Sequence, residues 1–251
     1  MRKKLKKIIQ NWHIVRAIKQ NKLNFAIQYI RDVENWVDGM EDKKCEVLAR
    51  LNIRNKNITP DIFIPIAKEK NCYHIITKTI IKKSFKYMNE HPEIEEFSIN
   101  LNMFDIRTSE TIDFLIMNIE NYNIGDRLVI ELTEDEELTN ELKKTKAVIK
   151  RLKDLNCKIA LDDFGKGYAT FDPLINLDLD YIKLDKVLTG NFLANEHKFY
   201  IISLLSEYSK RLEISLVVEW IEKQEEYEAI KYMDIEYAQG YHLHEPYLIV
   251  S

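Results

Sequence analysis

The sequence contains little glycine, proline or cysteine. Its 251 residues include six glycines, five prolines and three cysteines. No stretch rich in proline, glycine and serine interrupts the chain, so a flexible linker between two domains is not expected. We therefore predict a single barrel domain over residues 1–251, with residues 1–13 forming a basic helical extension at its N-terminus.

The cysteines Cys45, Cys72 and Cys157 are odd in number and widely separated, and no two of them form a CxxC pair. A disulfide framework needs paired cysteines, and a structural zinc site needs closely spaced thiolates. The pattern therefore favours buried thiols in a reducing compartment over either kind of cross-link.

Long hydrophobic runs are also missing. The basic start, MRKKLKKIIQNWHIVRAIKQ, lacks the continuous apolar region of a signal peptide, and no later run reaches the length of a membrane span. We expect a cytoplasmic protein without a transmembrane segment. A solvated helix face is the favoured interpretation of the basic start, and contact with an acidic membrane surface is the alternative.

The overall charge gives no reason to expect a nucleic-acid duplex as a partner. The formal net charge is -4 at pH 7, whereas proteins that bind DNA or RNA duplexes need an excess of positive charge at the interface. Any phosphate group that binds this protein must therefore be recognised by a local set of residues.

Short apolar runs that resemble strands alternate with segments in which apolar residues recur every three or four positions. This alternation predicts βα units and an α/β fold, namely a TIM-like (β/α)8 barrel. The eight predicted strands are residues 23–30, 44–51, 96–101, 127–132, 157–163, 180–185, 214–220 and 236–243. The segment RDVENWVDGMED after the first run is too short for a crossover helix, so we predict a hairpin and an antiparallel first strand.

Polar residues end these predicted strands or lie within them, and the active site of such a barrel is found at the C-terminal ends of its strands. They are Glu46, Asn100, Glu131, Asp162, Asp163, Lys183, Glu219 and Gln239. Any one of these acids could instead cap a helix or face solvent. Together they offer carboxylate and amide oxygens, which suit Mg²⁺ or Mn²⁺ better than zinc. We expect two ions about 3.5 to 4 Å apart, an arrangement that fits phosphodiester hydrolysis, with Lys183 beside the phosphate.

Nine short motifs, in order, resemble those of the EAL domain family of bacterial cyclic-di-GMP phosphodiesterases, over residues 14–247. They are IQYI, EVLARL, TPDIFIPIAK, INLN, ELTE, DDFGKGYAT, IKLD, VEWIE and QGYHLHEP. The resemblance implies cyclic di-GMP as the substrate and a metal-dependent reaction that gives linear pGpG through a lysine-assisted, metal-bound water. It also implies a homodimer.

The same resemblance assigns roles to individual residues. It implies that the metal ligands are Glu46, Asn100, Glu131, Asp162, Asp163 and Glu219. It places Lys183 in the catalytic group with Glu46, Asp163 and Glu219, and makes the substrate-binding residues Gln28, Arg50, Gln239 and Asp185. It assigns Glu134 to steadying the loop after Asp163.

Some positions depart from the family motifs. Trp220 stands where the family has glycine, Lys166 where threonine is usual, and Val47 replaces the signature alanine. None of these changes removes an expected ligand, so catalysis stays the favoured function. Trp220 and Lys166 motivate the alternative, in which the domain is catalytically impaired and regulates by binding cyclic di-GMP or a protein partner. A barrel phosphodiesterase with a different nucleotide substrate is a third hypothesis.

Overall fold

The structure is a computed structural model that describes residues 2–37, 39–133, 138, 141–166 and 171–249, with side chains described from residue 11 onwards. Ten strands lie in these ranges. They are β1 (Leu23–Asp32), β2 (Lys44–Ile53), β3 (Lys56–Ile58), β4 (Glu96–Leu101), β5 (Leu128–Thr133), β6 (Lys158–Phe164), β7 (Tyr181–Leu184), β8 (Ser215–Val218), β9 (Tyr237–Ala238) and β10 (Tyr247–Ile249).

Eight of the described strands close into a barrel in the order β1, β2, β4, β5, β6, β7, β8, β9 and back to β1. This confirms the predicted (β/α)8 barrel. β1 is antiparallel to both neighbours, with Gln28 opposite Glu46 and Arg31 opposite Ala238. The antiparallel first strand is thus also confirmed: a connection of eleven residues, 33–43, turns the chain back as a hairpin instead of crossing over the sheet.

The helices of the described ranges are α1 (Arg2–Lys19), α2 (Pro60–Glu69), α3 (Tyr73–Glu90), α4 (Met103–Arg107), α5 (Ser109–Tyr122), α6 (Leu142–Lys153), α7 (Asp172–Asn176), α8 (Lys186–Thr189), α9 (Glu196–Arg211) and α10 (Gln224–Tyr232). α1 extends past the predicted basic segment, and its last two turns bury Ile14, Ala17 and Ile18. No helix in the described ranges combines the length and the apolar character that crossing a membrane requires.

Side chains that alternate along each strand face two different buried regions, the core beneath the helices and the interior of the barrel. In β5, Leu128, Ile130 and Leu132 belong to the large core packed beneath the helices, whereas Val129 and Glu131 occupy the alternate positions. Successive strand residues point to opposite faces, so Val129 and Glu131 point into the barrel. A small apolar layer fills the barrel there, formed by Ile30, Val129, Ala160, Tyr181 and Val217. This layer separates the polar residues at the two ends of the barrel.

The last predicted strand is much shorter than expected. The sequence predicts residues 236–243 as a strand, but β9 ends at Ala238. At Gly240 a Cβ atom would lie 2.1 Å from the backbone oxygen of Ile221, and the amide of His242 donates to that same oxygen at 3.0 Å. The chain therefore turns at Gly240 against the loop after β8, and β10 then pairs with β1.

Candidate active site

Lys183 lies at the centre of a group of acids at the C-terminal end of the barrel. Its side chain is 2% exposed, and its Nζ atom lies within ion-pair distance of four carboxylates from four other strands or strand ends. The distances are 3.2 Å to Glu46 Oε2, 2.9 Å to Glu131 Oε1, 3.3 Å to Asp162 Oδ1 and 3.0 Å to Glu219 Oε1. The structure thus brings together residues separated by up to 173 positions, counted from Glu46 to Glu219.

Side-chain amides surround Glu46. Asn100 Nδ2 donates to Glu46 Oε1 and Gln239 Nε2 donates to Glu46 Oε2, each at 2.9 Å. Gln239 Nε2 also donates to Gln28 Oε1 at 3.1 Å, and Gln28 Nε2 donates to the backbone oxygen of His244 at 2.9 Å. These hydrogen bonds fix the orientation of Glu46 and link it to β1 and to the loop after β9.

The pKa values of the group reflect burial and incomplete charge compensation. Burial raises the pKa of Glu131 and Asp162, reinforced by the neighbouring charge of Glu46, and raises the pKa of Glu219 to about 8. Burial acts in the same direction on Glu46, but Lys183 and the two amides outweigh it and lower the pKa of Glu46. For Lys183, burial opposes the charged form, yet the carboxylates outweigh it and raise the pKa well above its usual value. One ammonium therefore faces more negative charge than it can neutralise.

The adjacent acids at the end of β6 have different environments. Asp162 contacts Lys183, whereas Asp163 adopts a left-handed backbone conformation with φ of +58° and accepts a hydrogen bond from Lys166 Nζ at 2.8 Å. The register between β6 and β7 shifts between Leu161 and Phe164, so the strand is irregular at this pair. The two neighbouring carboxylates thus have different partners, although the charge of Asp163 still contributes to the raised pKa of Asp162.

An open cavity of about 270 Å³ lies over the acidic group. Its lining residues are Gln28, Glu46, Leu48, Arg50, Asp162, Asp163, Glu219, Trp220, Glu222, Gln239, Gly240, Tyr241 and Pro246. Arg50 is half-buried at this wall, and its Nη1 atom donates to the backbone oxygen of Ala49 at 3.0 Å. A cationic side chain and two amides thus share one wall with the carboxylates, a combination suited to a phosphate ester.

Five residues of the predicted site are not among the described residues that line this cavity. Lys183 and Glu131 pair in the acidic group beneath it, and Asn100 donates to Glu46 from β4. The other two are Asp185 and Glu134. Asp185 caps the N-terminus of α8, where its Oδ1 atom accepts a hydrogen bond from the amide of Val187 at 2.8 Å, and it does not line the cavity. Glu134 lies outside the described residues, and so do Gly167, Ala169 and Thr170 of the loop after β6.

The donor atoms fit hard divalent cations. Carboxylate and amide oxygens converge here, and Glu131 Oε2 and Gln239 Oε1 are buried without a hydrogen-bond partner in the described structure. Within the described ranges, no three His, Cys, Asp or Glu side chains are already arranged around a shared ion position, because the carboxylates instead surround Lys183. The residues that the family resemblance predicts as ligands of such cations are Glu46, Asn100, Glu131, Asp162, Asp163 and Glu219.

Comparison with known proteins agrees with this geometry. The family model described as EAL domain matches residues 12–246, so the chain belongs to the EAL domain family. Cyclic di-GMP phosphodiesterase PdeF of Escherichia coli K12 is 29% identical over 221 residues, which cover 86% of this chain and 30% of that protein. Probable cyclic di-GMP phosphodiesterase PdeB of the same strain is 32% identical over 190 residues, 73% of this chain and 35% of that protein. The chain thus spans about a third of the length of these curated relatives.

Solved structures share the same fold. An EAL domain protein from Listeria monocytogenes EGD-e superimposes with a TM-score of 0.84 at 24% identity, covering 93% of this chain and 92% of that one. The FimX EAL domain of Xanthomonas citri, solved in complex with c-diGMP, gives a TM-score of 0.85 at 16% identity, covering 98% and 97%. At these identities the likeness establishes the barrel fold.

Several cavity residues were not selected by sequence reasoning. Leu48, Glu222, Tyr241 and Pro246 line the cavity in the structure. All four lie in quoted motifs: Leu48 belongs to EVLARL, Glu222 ends VEWIE, and Tyr241 and Pro246 belong to QGYHLHEP. Position within a motif was the available signal, but it does not distinguish a cavity wall from a packing position.

Proposed function

We propose that this chain hydrolyses one phosphodiester bond of cyclic di-GMP to give linear pGpG, with two divalent cations, Mg²⁺ or Mn²⁺, held by its carboxylates. The observation that carries the proposal is the cluster of four carboxylates around the buried Lys183 beneath an open, amide-lined cavity. Family membership and relatives named as cyclic di-GMP phosphodiesterases support the choice of substrate.

The reaction adds one water across a phosphorus–oxygen bond. The water oxygen bonds to phosphorus, the bond from phosphorus to the ribose 3′ oxygen breaks, and that oxygen takes up a proton, so the product carries a 5′ phosphate. Bound divalent cations would supply activation of the attacking water and stabilisation of the phosphoryl oxygens. A homodimer is part of this proposal, by family resemblance.

The chain's own residues perform the remaining tasks. The ammonium of Lys183 orients the attacking water and offsets negative charge that develops on the phosphoryl group. Arg50 and Gln28, on the cavity wall, bind the phosphate of the dinucleotide, and Gln239 holds Glu46 in position through the hydrogen bond at 2.9 Å. Glu46 also accepts a hydrogen bond from the side-chain amide of Asn100. Loss of Glu46 therefore removes a proposed metal ligand and the hydrogen-bond acceptor of these two amides.

The direct test is a product assay with purified protein, cyclic di-GMP and Mn²⁺. We expect linear pGpG from the wild type and none from Glu46→Ala, which also weakens Mn²⁺ binding. Lys183→Ala is expected to abolish turnover while retaining much of the Mn²⁺ affinity, since an ammonium is not a metal ligand. Absence of linear product from wild type, with Glu46→Ala behaving identically, would contradict the proposal.

A second candidate is a regulator that binds cyclic di-GMP without hydrolysing it and signals to a protein partner. It is favoured by Trp220 at the cavity rim and by the ion pair at 2.8 Å between Lys166 and Asp163, which engages one of the expected metal ligands. Calorimetry with cyclic di-GMP in Ca²⁺, followed by the product assay in Mn²⁺, separates the two functions. Tight binding without product supports the regulator.

A further inference from the structure

Trp220 combines a strained backbone with a position at the cavity. It follows Glu219 directly, has a φ of +62° and lines the cavity, and 44% of its surface is exposed. A bulky residue in the left-handed region is a genuine outlier, because its Cβ atom crowds the neighbouring backbone in a way that glycine avoids. Strain of this kind at a cavity indicates a functional constraint.

The neighbouring backbone holds this conformation in place. The amide of Glu219 donates to the Leu184 oxygen at 3.4 Å, and the amide of Ile221 donates to the Gln239 oxygen at 3.1 Å. Both neighbours of Trp220 are thus attached to other strands or strand ends of the barrel. The chain therefore keeps a side chain at a position where glycine would be easier to accommodate, and the indole remains at the cavity rim.

The surroundings of the indole suit a flat aromatic ligand. Lys186 Nζ lies over one face of the Trp220 ring, 4.3 Å from its centroid, and 3.2 Å from Glu222 Oε1, so a stacked ligand would use the opposite face. Tyr241, which is 62% exposed, and Pro246 line the same cavity. Two aromatic side chains thus flank the cavity that contains the proposed phosphate-binding residues.

We propose that Trp220 is a stacking surface for one purine base of the bound dinucleotide. Every base presents a π face, and stacking on an exposed aromatic ring contributes substantially to the binding of single-stranded nucleotides. This inference rests on the proposed function, because it assumes that the phosphate of the same ligand lies at Arg50 and Lys183. The competing role is obstruction, in which the indole occupies space that the base needs.

The test compares Trp220→Gly, which removes both the ring and the backbone strain, with Trp220→Phe, which keeps an aromatic ring. Affinity for cyclic di-GMP is measured by calorimetry in Ca²⁺, and thermal unfolding is measured on the same samples. Stacking predicts that Trp220→Gly binds between about 5-fold and 150-fold more weakly while its Tm is equal to or above that of the wild type. Trp220→Phe is expected to stay within about 3-fold of the wild type.

Tryptophan emission provides a second readout. Cyclic di-GMP should change the emission of the wild type, and this change should vanish in Trp220→Phe. The control Trp12→Phe, which alters an exposed tryptophan of α1, should retain both the change and the affinity. Equal or tighter binding by Trp220→Gly, or an emission change that persists in Trp220→Phe, overturns the stacking role and supports obstruction or no role.

The outcomes separate this inference from the proposed hydrolysis. Binding that depends on Trp220 in Ca²⁺, without linear product in Mn²⁺, contradicts hydrolysis and supports stacking. Linear product with unchanged affinity in Trp220→Gly supports hydrolysis and contradicts stacking. A wild type that binds no cyclic di-GMP contradicts both.

Discussion

Lys183 carries one positive charge among four carboxylates, of which those of Glu46 and Glu131 are buried, so its removal leaves this group uncompensated. Breaking a buried ion pair by removing one partner is strongly destabilising, whereas exposed pairs contribute little. The structure therefore gives this lysine a role in stability, which can be measured separately from its proposed role in turnover.

We predict that Lys183→Met destabilises the protein by about 3 to 5 kcal/mol when divalent cations are removed by a chelator. Saturating Mn²⁺ should recover a large part of this loss, because the cations compensate the same carboxylates. Urea unfolding with chelator and with Mn²⁺ measures both values. The control is Lys210→Met, whose exposed pair with Asp234 should contribute less than about 1 kcal/mol. An equal loss with and without Mn²⁺ would contradict a cation site at these carboxylates.

At the scale of single residues, the sequence predicted the mouth of the barrel better than its opposite end. Glu131 and Asp162 can be identified because they end or nearly end apolar runs, and Glu46 because it lies within one and belongs to the motif EVLARL. Lys44 and Glu96 begin their strands and resemble solvated residues in the sequence, yet they pair at 2.9 Å in the structure. A charged residue at the start of a strand can be recognised as buried only when it is known which strands are neighbours in the closed barrel.

The loops after β8 and β9 form one unit at the mouth of the barrel. Gly240 packs directly against the backbone of Ile221. Trp220 precedes Ile221 in the chain, and Gln239 precedes Gly240. A side chain at Gly240 would therefore push apart the two loops that carry part of the candidate site.

We predict that Gly240→Ala weakens cyclic di-GMP binding by at least about 10-fold and lowers stability by about 1 to 3 kcal/mol, because the added Cβ overlaps backbone atoms that cannot move independently. Calorimetry in Ca²⁺ and urea unfolding provide the two measurements. Gly39→Ala is the matched control, since its φ is +90° but nothing lies within 4 Å of the added Cβ. It should cost stability through backbone strain and leave the affinity unchanged. Equal losses of affinity in the two variants would show that the Gly240 contact does not shape the site.

Element boundaries were predictable where hydrophobic periodicity was regular. In residues 109–122 apolar side chains recur every three or four positions, a spacing that predicts a helix, and α5 spans Ser109–Tyr122. The strand prediction over 236–243 was too long because a close contact between two loops, which periodicity does not encode, turns the chain at Gly240. β3 and β10 were not predicted, since each has only three residues at an edge of the sheet.

The whole barrel has charged groups at both ends. At the N-terminal end, Glu96 accepts hydrogen bonds from Lys44 at 2.9 Å and from the Tyr181 hydroxyl at 2.8 Å, and it also pairs with Lys158. Burial raises the pKa of Glu96, but Lys44 and Lys158 outweigh it, so the pKa lies below its ordinary value of 4.5. The ionised form of Glu96 therefore stabilises the folded state above pH 4.5, and this contribution is lost as the pH falls through the lowered pKa.

We predict that Glu96→Gln lowers the unfolding free energy by about 3 kcal/mol at pH 7, the lower end for a buried pair because Lys158 is partly exposed. The difference from wild type should stay constant between about pH 8 and 5 and shrink below pH 4.5. Urea unfolding across this range measures it. Glu95→Gln, which removes an exposed pair with Lys43, should change stability by less than about 1 kcal/mol. A difference that grows on acidification would contradict the assignment.

At the scale of the molecule, the barrel and its antiparallel first strand were predictable because chain connectivity restricts the alternatives. A parallel neighbour requires a long crossover, and residues 33–43 are too few to provide one. The order of strands around the barrel then places the acids together. The strain at Trp220 and Asp163 was not predictable, since it depends on contacts between loops from different strands.

The central claim is that oxygens from separate strands hold divalent cations beside Lys183. A crystal structure of the protein with Mn²⁺ and cyclic di-GMP, with the metal located by anomalous scattering, tests it most directly. We predict manganese peaks within coordination distance of Glu46, Asn100, Glu131 and Asp162, with the scissile phosphate next to Lys183. Manganese peaks elsewhere, or none at saturating Mn²⁺ while Lys183 keeps its four carboxylate contacts, would contradict the account.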